Sequence, residues 1–282
     1  MKNVIKKTSA ALIATGLLTV GLGAEMNTSQ AVEGHYDYDG MYPSNANSAY
    51  QKATNINNND VTIKHYGYAN KTKYKAVGRV SNVDGWKGKG KDSMGTGFMI
   101  DKHTFLTNGH VIDNPNGKAV AAKNVTFEMN RDGNKRPYKF HANRISKVAG
   151  QDIAVVNTKE DMSKAAQPLK LASQKQIQGL KYKDRLYSLG YPWQNNDNTK
   201  AYWNKFRFLQ YSSNHTELMF KDKFRAGASG SPIVNNKYQV YGLRTYGWNL
   251  RGNSTDKYSQ QEVAGGEALT TQAQQFINNH RR

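Results

Sequence analysis

Short apolar runs separated by turn residues fill the chain from residue 95 onwards. In the segment 124–129 the apolar side chains of Val125, Phe127 and Met129 alternate with polar ones, whereas 153–156 is continuously apolar. Alternation predicts a strand with one buried face, and a short continuous run predicts a strand buried on both faces. A series of such strands indicates a β-sandwich or a β-barrel. We predict strands at 95–100, 104–107, 124–129, 152–158, 185–189, 205–211, 217–220, 232–234 and 239–244.

Two segments depart from this pattern. From residue 266 to the C-terminus, Leu269, Ala273, Phe276 and Ile277 recur at helical spacing, which predicts a C-terminal helix. Residues 32–60 are polar and rich in Asn, Tyr and Asp, so packed structure is not expected there. Three interpretations stay open for this segment: a propeptide, a flexible N-terminal extension, or a short helix around residues 48–53.

The first 31 residues have the features of a secretory signal peptide. Three lysines within the first seven residues precede an apolar run over residues 9–23, and small residues precede Ala31. The run is shorter than the roughly 20 residues that span a bilayer, so a membrane anchor is not expected. We expect cleavage after Ala31, with Ala24 as the alternative site. The mature protein is then extracellular, with no stable membrane insertion.

The amino-acid composition limits which catalytic groups, metal sites and partners the chain can have. The chain has no cysteine, which excludes a thiol nucleophile and cysteine-ligated zinc and fits export from a Gram-positive bacterium. Forty basic residues face 21 acidic ones, a formal charge of +19, and loss of the signal peptide with its three lysines and Glu25 leaves +17. The lysines are scattered and accompany no nucleic-acid motif, so no nucleic-acid partner is required. No metal-ligand spacing occurs, and we predict no metal and no cofactor.

The most informative motif is Gly-Ala-Ser-Gly-Ser-Pro at residues 227–232. A nucleophilic serine needs a tight turn that exposes its hydroxyl, and a glycine two residues earlier lets the backbone fold without a Cβ. The N–H groups of Gly227 and Ser229 could then point at one developing oxyanion. Glycine–serine turns are also common in ordinary loops, so the motif is only a moderate signal by itself.

Two further residues complete a catalytic constellation. His110 ends the segment Leu-Thr-Asn-Gly-His-Val and is placed to accept the serine proton as a general base. Asp152 stands directly before an apolar strand, where burial would require a partner such as the imidazole of His110. The order His110, Asp152, Ser229 is that of the chymotrypsin fold rather than of subtilisins or α/β-hydrolases. The spacings suit two barrels, with Ser229 on the second.

These motifs carry a family resemblance. The stretches around residues 95–98, 106–111, 152–155, 190–192, 227–232 and 241–243 make the chain similar to the staphylococcal glutamyl endopeptidase and exfoliative toxin family of trypsin-like serine proteases. The resemblance implies an all-β fold, a double six-stranded antiparallel β-barrel followed by the C-terminal helix. It also implies secretion and peptide-bond cleavage without a cofactor. We divide the chain into residues 1–31 (signal peptide), 32–60 (propeptide or N-terminal extension), 61–165 (first barrel) and 166–282 (second barrel and helix).

The specificity pocket departs from the family pattern. Glutamate-specific relatives have a threonine five residues before the nucleophile and a histidine on the following strand, and here Phe224 and Arg244 occupy those positions. Arg244 could still pair with a P1 carboxylate, and Arg225 lies on the same wall. The alternative is that Phe224 fills the pocket and Arg244 points elsewhere. Ala228 replaces the usual Asn before the nucleophile, which leaves the backbone oxyanion donors unchanged.

We therefore expect a secreted, monomeric serine endopeptidase that acts on proteins or peptides, including host extracellular proteins, with acidic P1 residues preferred. The first alternative is a toxin-like protease with one narrow host adhesion target. The second is a weakly catalytic cationic binding protein on a protease fold, motivated by the +17 charge. Whether residues 32–60 are removed to activate a zymogen is left open.

Overall fold

A computed structural model describes residues 36–67, 69–249 and 262–282. The predicted signal peptide and both of its candidate cleavage sites lie outside these residues. The described chain begins with a packed segment, residues 36–60, which we call the N-terminal arm. The arm contains helix α1 (Pro43–Thr54), and the first strand, β1 (Thr62–His65), follows it.

The first barrel is a closed ring of six antiparallel strands in the order β2-β3-β4-β7-β6-β5. Its side chains are apolar inside, with Phe105 stacked on Phe127 at a centroid distance of 4.4 Å. The short helix α2 (Gly109–Ile112) leaves the end of one strand. The strands are β2 (Val77–Asn82), β3 (Ser93–Asp101), β4 (Thr104–Thr107), β5 (Val125–Met129), β6 (Tyr138–Lys147) and β7 (Ala154–Thr158).

The second barrel follows helix α3 (Gln174–Gln178) and closes in the order β8-β9-β10-β13-β12-β11, because β8 and β9 also pair. Strand β1 lies in the range predicted for the first barrel but pairs with β9 of the second. The C-terminal helix is α4 (Thr271–His280). The strands are β8 (Arg185–Gly190), β9 (Tyr202–Tyr211), β10 (Glu217–Lys221), β11 (Pro232–Val234), β12 (Val240–Asn249) and β13 (Glu262–Ala268).

The predicted fold class is confirmed: two closed six-stranded antiparallel barrels and a short C-terminal helix. The helix begins at Thr271 rather than near residue 266, because residues 262–268 form β13. Within the described ranges, no helix has the length and apolar character needed to cross a membrane.

The expectation that the N-terminal arm is unpacked was wrong, whereas the alternative of a short helix around residues 48–53 is confirmed, because these residues lie within helix α1. Helix α1 begins with Pro43 at its first turn and buries Ala46, Ala49 and Ala53 along one face. Their spacing of three and four residues places them on one side of a helix. This face packs on the second barrel, where Leu209, Met219, Tyr246 and Val263 complete a separate hydrophobic core.

Candidate active site

His110 and Asp152 meet at the open end of the first barrel. Strands β4 and β7 pair side by side, with Thr107 opposite Ala154, so the residues just beyond their ends are neighbours. The Nδ1 atom of His110 lies 2.5 Å from Oδ2 of Asp152, and the backbone N–H of His110 donates to Oδ1 at 2.8 Å. Asp152 is fully buried and His110 is 5% exposed. Two hydrogen bonds to one histidine fix its orientation.

Two neighbours hold the Asp152 segment in place. The side-chain amide of Asn108 donates to the backbone carbonyl of Asp152 at 2.7 Å and to the hydroxyl of Thr245 at 3.0 Å. Asn108 thereby connects the first barrel to β12 of the second. The hydroxyl of Tyr38, from the N-terminal arm, donates to Oδ2 of Asp152 at 2.8 Å. Burial and the nearby Asp152 charge raise the pKa of Tyr38, which keeps the phenol protonated as a donor.

Ser229 lies in a turn that two glycines make possible. Gly227 has φ of 88° and Gly230 has φ of 85°, in the region that residues with a Cβ rarely adopt. A Cβ on Gly230 would lie 2.1 Å from the carbonyl oxygen of Thr96, so this position also has no space for a side chain. The hydroxyl of Ser229 donates to the carbonyl of Thr245 at 3.0 Å, and the residue is 8% exposed.

Thr96, fully buried on β3, fixes the backbone around Ser229. Its N–H donates to the carbonyl of Ser229 at 2.8 Å, and its hydroxyl donates to the carbonyl of Gly227 at 2.8 Å. The same hydroxyl accepts the N–H of Tyr191 at 2.9 Å. One threonine of the first barrel therefore holds the carbonyl groups of both Gly227 and Ser229.

The predicted oxyanion donors are the N–H groups of Gly227 and Ser229. The carbonyl of Ala226 accepts the N–H of Trp193 at 2.6 Å. The C=O and N–H of a trans peptide point in opposite directions, so the N–H of Gly227 is turned away from Trp193. With the next carbonyl held by Thr96, this orientation is compatible with an oxyanion-binding role for Gly227.

The predicted pocket residue Arg244 is 1% exposed and fully engaged. Its Nη2 lies 2.5 Å from Oδ2 of Asp222, and its Nε donates to the same oxygen at 2.8 Å. The guanidinium carbon lies 5.5 Å and 5.1 Å from the ring centroids of Phe206 and Phe224. The positive charge is therefore neutralised inside the protein and enclosed by two aromatic rings.

Phe224 occupies space beside β12. A Cβ on Gly247 would lie 2.7 Å from Cβ of Phe224, so the phenylalanine packs directly against the glycine backbone. Phe224 is 6% exposed and shares a small apolar cluster with Ala228 and Ala264. Arg225 donates to the carbonyl of Phe224 at 2.8 Å and lies 3.9 Å from Glu262. Phe224 and Arg244 are therefore both packed inside the protein.

The comparisons with known proteins decide the family. The model of the trypsin-like peptidase domain matches residues 95–243, just over half of the chain, and it includes His110, Asp152 and Ser229. The chain belongs to the trypsin-like peptidase family. Its fold is similar to "Glu endopeptidase in complex with MPD", with a TM-score of 0.60, 15% identity, and coverage of 77% of this chain and 95% of the other.

Two further solved structures are similar in fold. The protease Anisep from Arthrobacter nicotinovorans gives a TM-score of 0.59 at 15% identity, covering 77% of this chain and 98% of the other. The scabies mite inactivated protease paralogue S-D1 gives 0.57 at 11% identity, covering 74% and 93%. At these identities the likeness shows the fold alone. Because one such peptidase-fold protein is described as inactivated, activity has to be argued from the residues.

Sequence reasoning missed several residues of this peptidase site. Asp222 stands in the charged run Lys-Asp-Lys at 221–223, which resembles a solvated loop, and its pairing with Arg244 depends on the barrel closing. Tyr38 lies in a segment for which no packing was expected. Thr96 was part of a recognised motif, but its role depends on contacts with a loop more than 130 residues away. Among the described residues, no group of three or more His, Cys, Asp or Glu could hold a metal ion.

Proposed function

We propose that this trypsin-like peptidase is an active, secreted serine endopeptidase in which Ser229 is the nucleophile, His110 the general base and Asp152 the residue that orients His110. The observation that carries the proposal is the buried pairing of His110 with Asp152 at 2.5 Å beside a two-glycine turn that presents Ser229. A buried carboxylate fixes the tautomer of the imidazole and stabilises the imidazolium formed during catalysis.

The proposed reaction follows from these groups. The Ser229 hydroxyl exchanges its hydrogen bond with Thr245 for one with Nε2 of His110. Its oxygen then attacks the scissile carbonyl carbon while Nε2 takes the proton. The N–H groups of Gly227 and Ser229 bind the oxyanion. The C–N bond breaks, the amine leaves with the proton from His110, and water releases the acyl group by the same steps.

Two variants test the proposal. We expect Ser229→Ala and His110→Ala each to lower kcat/KM on a disordered protein substrate by about 10³-fold or more, since both act in the same step. His215→Ala is the matched control, because His215 lies in the turn between β9 and β10, and it should retain wild-type activity. Cleavage by Ser229→Ala at the wild-type rate would refute the proposed mechanism.

Specificity has two candidates. The acidic P1 preference is supported by the basic residues Lys223 and Arg225, which flank Phe224 in the sequence, whereas Asp222 already neutralises Arg244. A narrow, single-target specificity is supported by Phe224, which packs on the backbone of Gly247 and takes the space that a smaller residue would leave open. Extracellular action rests on the signal peptide expected from the sequence.

A peptide library analysed by mass spectrometry separates these candidates. Cleavage of many sequences after Glu or Asp would support the acidic preference. Cleavage of very few library members, together with wider cleavage by Phe224→Gly, would support a pocket closed by Phe224. The cationic binding protein without catalysis is supported only if neither protein cleaves while the wild type binds anionic polymers.

A further inference from the structure

The N-terminal arm contributes a hydrogen bond to the buried carboxylate of the proposed triad. Asp152 accepts two hydrogen bonds from His110, one on each oxygen, and a third from the hydroxyl of Tyr38 at 2.8 Å on Oδ2. Oδ2 is also the oxygen that faces Nδ1 of His110. A donor on this oxygen disperses its negative charge and restricts its position, as partners of ligand and catalytic groups commonly do.

The arm is anchored so that it can hold Tyr38 in place. The ring of Tyr38 lies 5.0 Å from that of Tyr246, and Gly40 donates its N–H to buried Glu217. At the other end, the buried ammonium of Lys221 donates to the carbonyls of Ala53 and Ile56 at 3.1 Å and 2.5 Å, where helix α1 ends. Cations at a helix C-terminus satisfy its free carbonyls and its dipole.

The arm also contacts the segment that carries His110. A Cβ on Gly109 would lie 2.1 Å from the hydroxyl oxygen of Tyr36, so this tyrosine packs directly on the backbone before His110. The hydroxyl of Tyr36 donates to buried Asp113 at 2.6 Å, and Lys147 lies 3.0 Å from the same carboxylate. Tyr36 thus contacts residues that flank His110 in the sequence, and Tyr38 bonds directly to Asp152.

We propose that Tyr38 is a positioning residue for Asp152 and that the arm, residues 36–60, is a permanent part of the active enzyme rather than a removed propeptide. This inference rests on the proposed function. The arm supplies a fixed donor to the carboxylate, and removal of residues 36–60 would expose the apolar surface of Leu209, Met219 and Val263.

Tyr38→Phe tests the role of the hydroxyl, because the ring and its packing remain. We expect kcat to fall about tenfold with KM little changed, since a hydrogen bond to a charged group is lost away from the substrate. The downfield NMR signal of the His110 Nδ1 proton should shift in the same variant. Tyr42→Phe is the matched control, because its hydroxyl donates to Asp37 at the surface, and it should match the wild type.

Labelling with a fluorophosphonate keeps the two proposals distinguishable. If the wild type is not labelled at Ser229, the proposed function fails. If the wild type is labelled and Tyr38→Phe keeps wild-type kcat and an unshifted proton signal, the inference about Tyr38 alone is overturned. The intact mass of the labelled wild-type protein should include residues 36–60, and an active species that starts at residue 61 would overturn the role of the arm.

A second, independent feature is a basic groove between helix α4 and residues of the segments 71–75, 163–171 and 237–239. The groove has a volume of about 1140 Å³, and no acidic residue lines it. None of the triad residues lines it either. Apart from Lys71, its basic side chains form no salt bridge with any residue of the described ranges. The basic residues are Lys71, Lys73, Lys75, Lys164, Lys170, Lys237 and Arg281.

The remaining lining indicates the type of ligand. Side chains with hydroxyl or amide groups lie between the basic residues of the groove, and one aromatic residue, Tyr238, also lines it. The hydroxyl and amide residues include Thr72, Gln167, Gln239 and Asn278. Single-stranded nucleic acid is bound by several aromatic stacking platforms together with positive charge. A hydroxyl-rich polymer needs hydrogen-bond partners instead. From this lining we infer a site for a sulfated polysaccharide.

Heparin, a sulfated polysaccharide, is the probe, and uncharged dextran is its control. We expect Lys73→Gln/Lys170→Gln/Lys237→Gln to weaken heparin binding by about tenfold or more and to reduce its salt dependence. The control Lys89→Gln/Lys91→Gln/Lys118→Gln removes the same charge from exposed loops and should weaken binding less than about threefold. Equal loss in both triple variants, no binding by the wild type, or tighter binding of single-stranded DNA would each overturn the site.

Discussion

Arg244 forms a buried ion pair with Asp222, and this pair allows a test of whether Arg244 stabilises the fold or binds the substrate. The Arg244 residue is 1% exposed and the Asp222 side chain is fully buried. Removing one partner of such a pair leaves a buried charge without compensation and typically costs about 3–5 kcal/mol. We therefore expect Asp222→Asn and Arg244→Met each to lower the free energy of unfolding by about 3–5 kcal/mol.

The double variant Asp222→Asn/Arg244→Met should be much less destabilised than the sum of the singles. Neutral side chains replace both charges, and methionine can pack between the rings of Phe206 and Phe224. We expect a coupling energy of about 2 kcal/mol or more. Asp60→Asn is the control, since Asp60 pairs with Arg207 at the surface, and exposed pairs contribute less than about 1 kcal/mol.

Urea unfolding followed by tryptophan fluorescence gives these values, provided that the slope with denaturant is unchanged. Cleavage of a Glu-containing and a Gln-containing peptide is measured on the same variants. If Arg244→Met costs under about 1 kcal/mol and selectively removes cleavage after Glu, Arg244 is a substrate ligand and the structural interpretation is refuted.

Three further predictions follow from the site and its surroundings. Phe224→Gly should increase the number of library peptides cleaved, measured by mass spectrometry, because it opens the space beside Gly247; an unchanged cleavage pattern would exclude Phe224 as the closing side chain. Thr96→Val should lower kcat by about tenfold or more with the fold intact, because the carbonyl of Gly227 loses its donor; wild-type kcat with unchanged circular dichroism would contradict this. Burial raises the pKa of Glu217 from 4.5 to about 8, so its contribution to stability is present below pH 4.5 and is lost as pH rises towards 8. Glu217→Gln should reduce this decline by up to about 5 kcal/mol, at about 1.4 kcal/mol for each pKa unit. An unchanged pH dependence of urea unfolding would argue against a protonated Glu217.

Much of the fold was predictable because its signals are local. Alternation marks β5, where Val125, Phe127 and Met129 point inward, and continuous apolar sequence marks β7. Strand β6 was missed because its outer face carries many polar and charged residues and only Phe140 and Ala142 are buried within it. The packing of the arm was not predicted for a related reason. The buried face of helix α1 consists largely of small alanines, which stand between Asn, Ser and Gln residues in the sequence.

Only those site residues that stand in recognisable sequence motifs were predictable. Local motifs mark both His110 and Asp152 in the sequence. The two side chains lie next to each other because strands β4 and β7, which they adjoin, pair with each other. The surroundings of Arg244 were not predictable, because Asp222 and Phe224 reach it only after β10 and β12 have joined one barrel. A sequence gives no local sign that a charged residue will find its partner inside the protein.

The central claim is that Ser229 is a nucleophile activated by His110. The most direct test is a reaction of the purified protein with a fluorophosphonate probe, followed by digestion and mass spectrometry of the labelled peptide. We expect a single adduct on Ser229, which is lost in Ser229→Ala and forms far more slowly in His110→Ala. An unlabelled Ser229 in protein that is folded and carries residues 36–60, or equally fast labelling without His110, would contradict it.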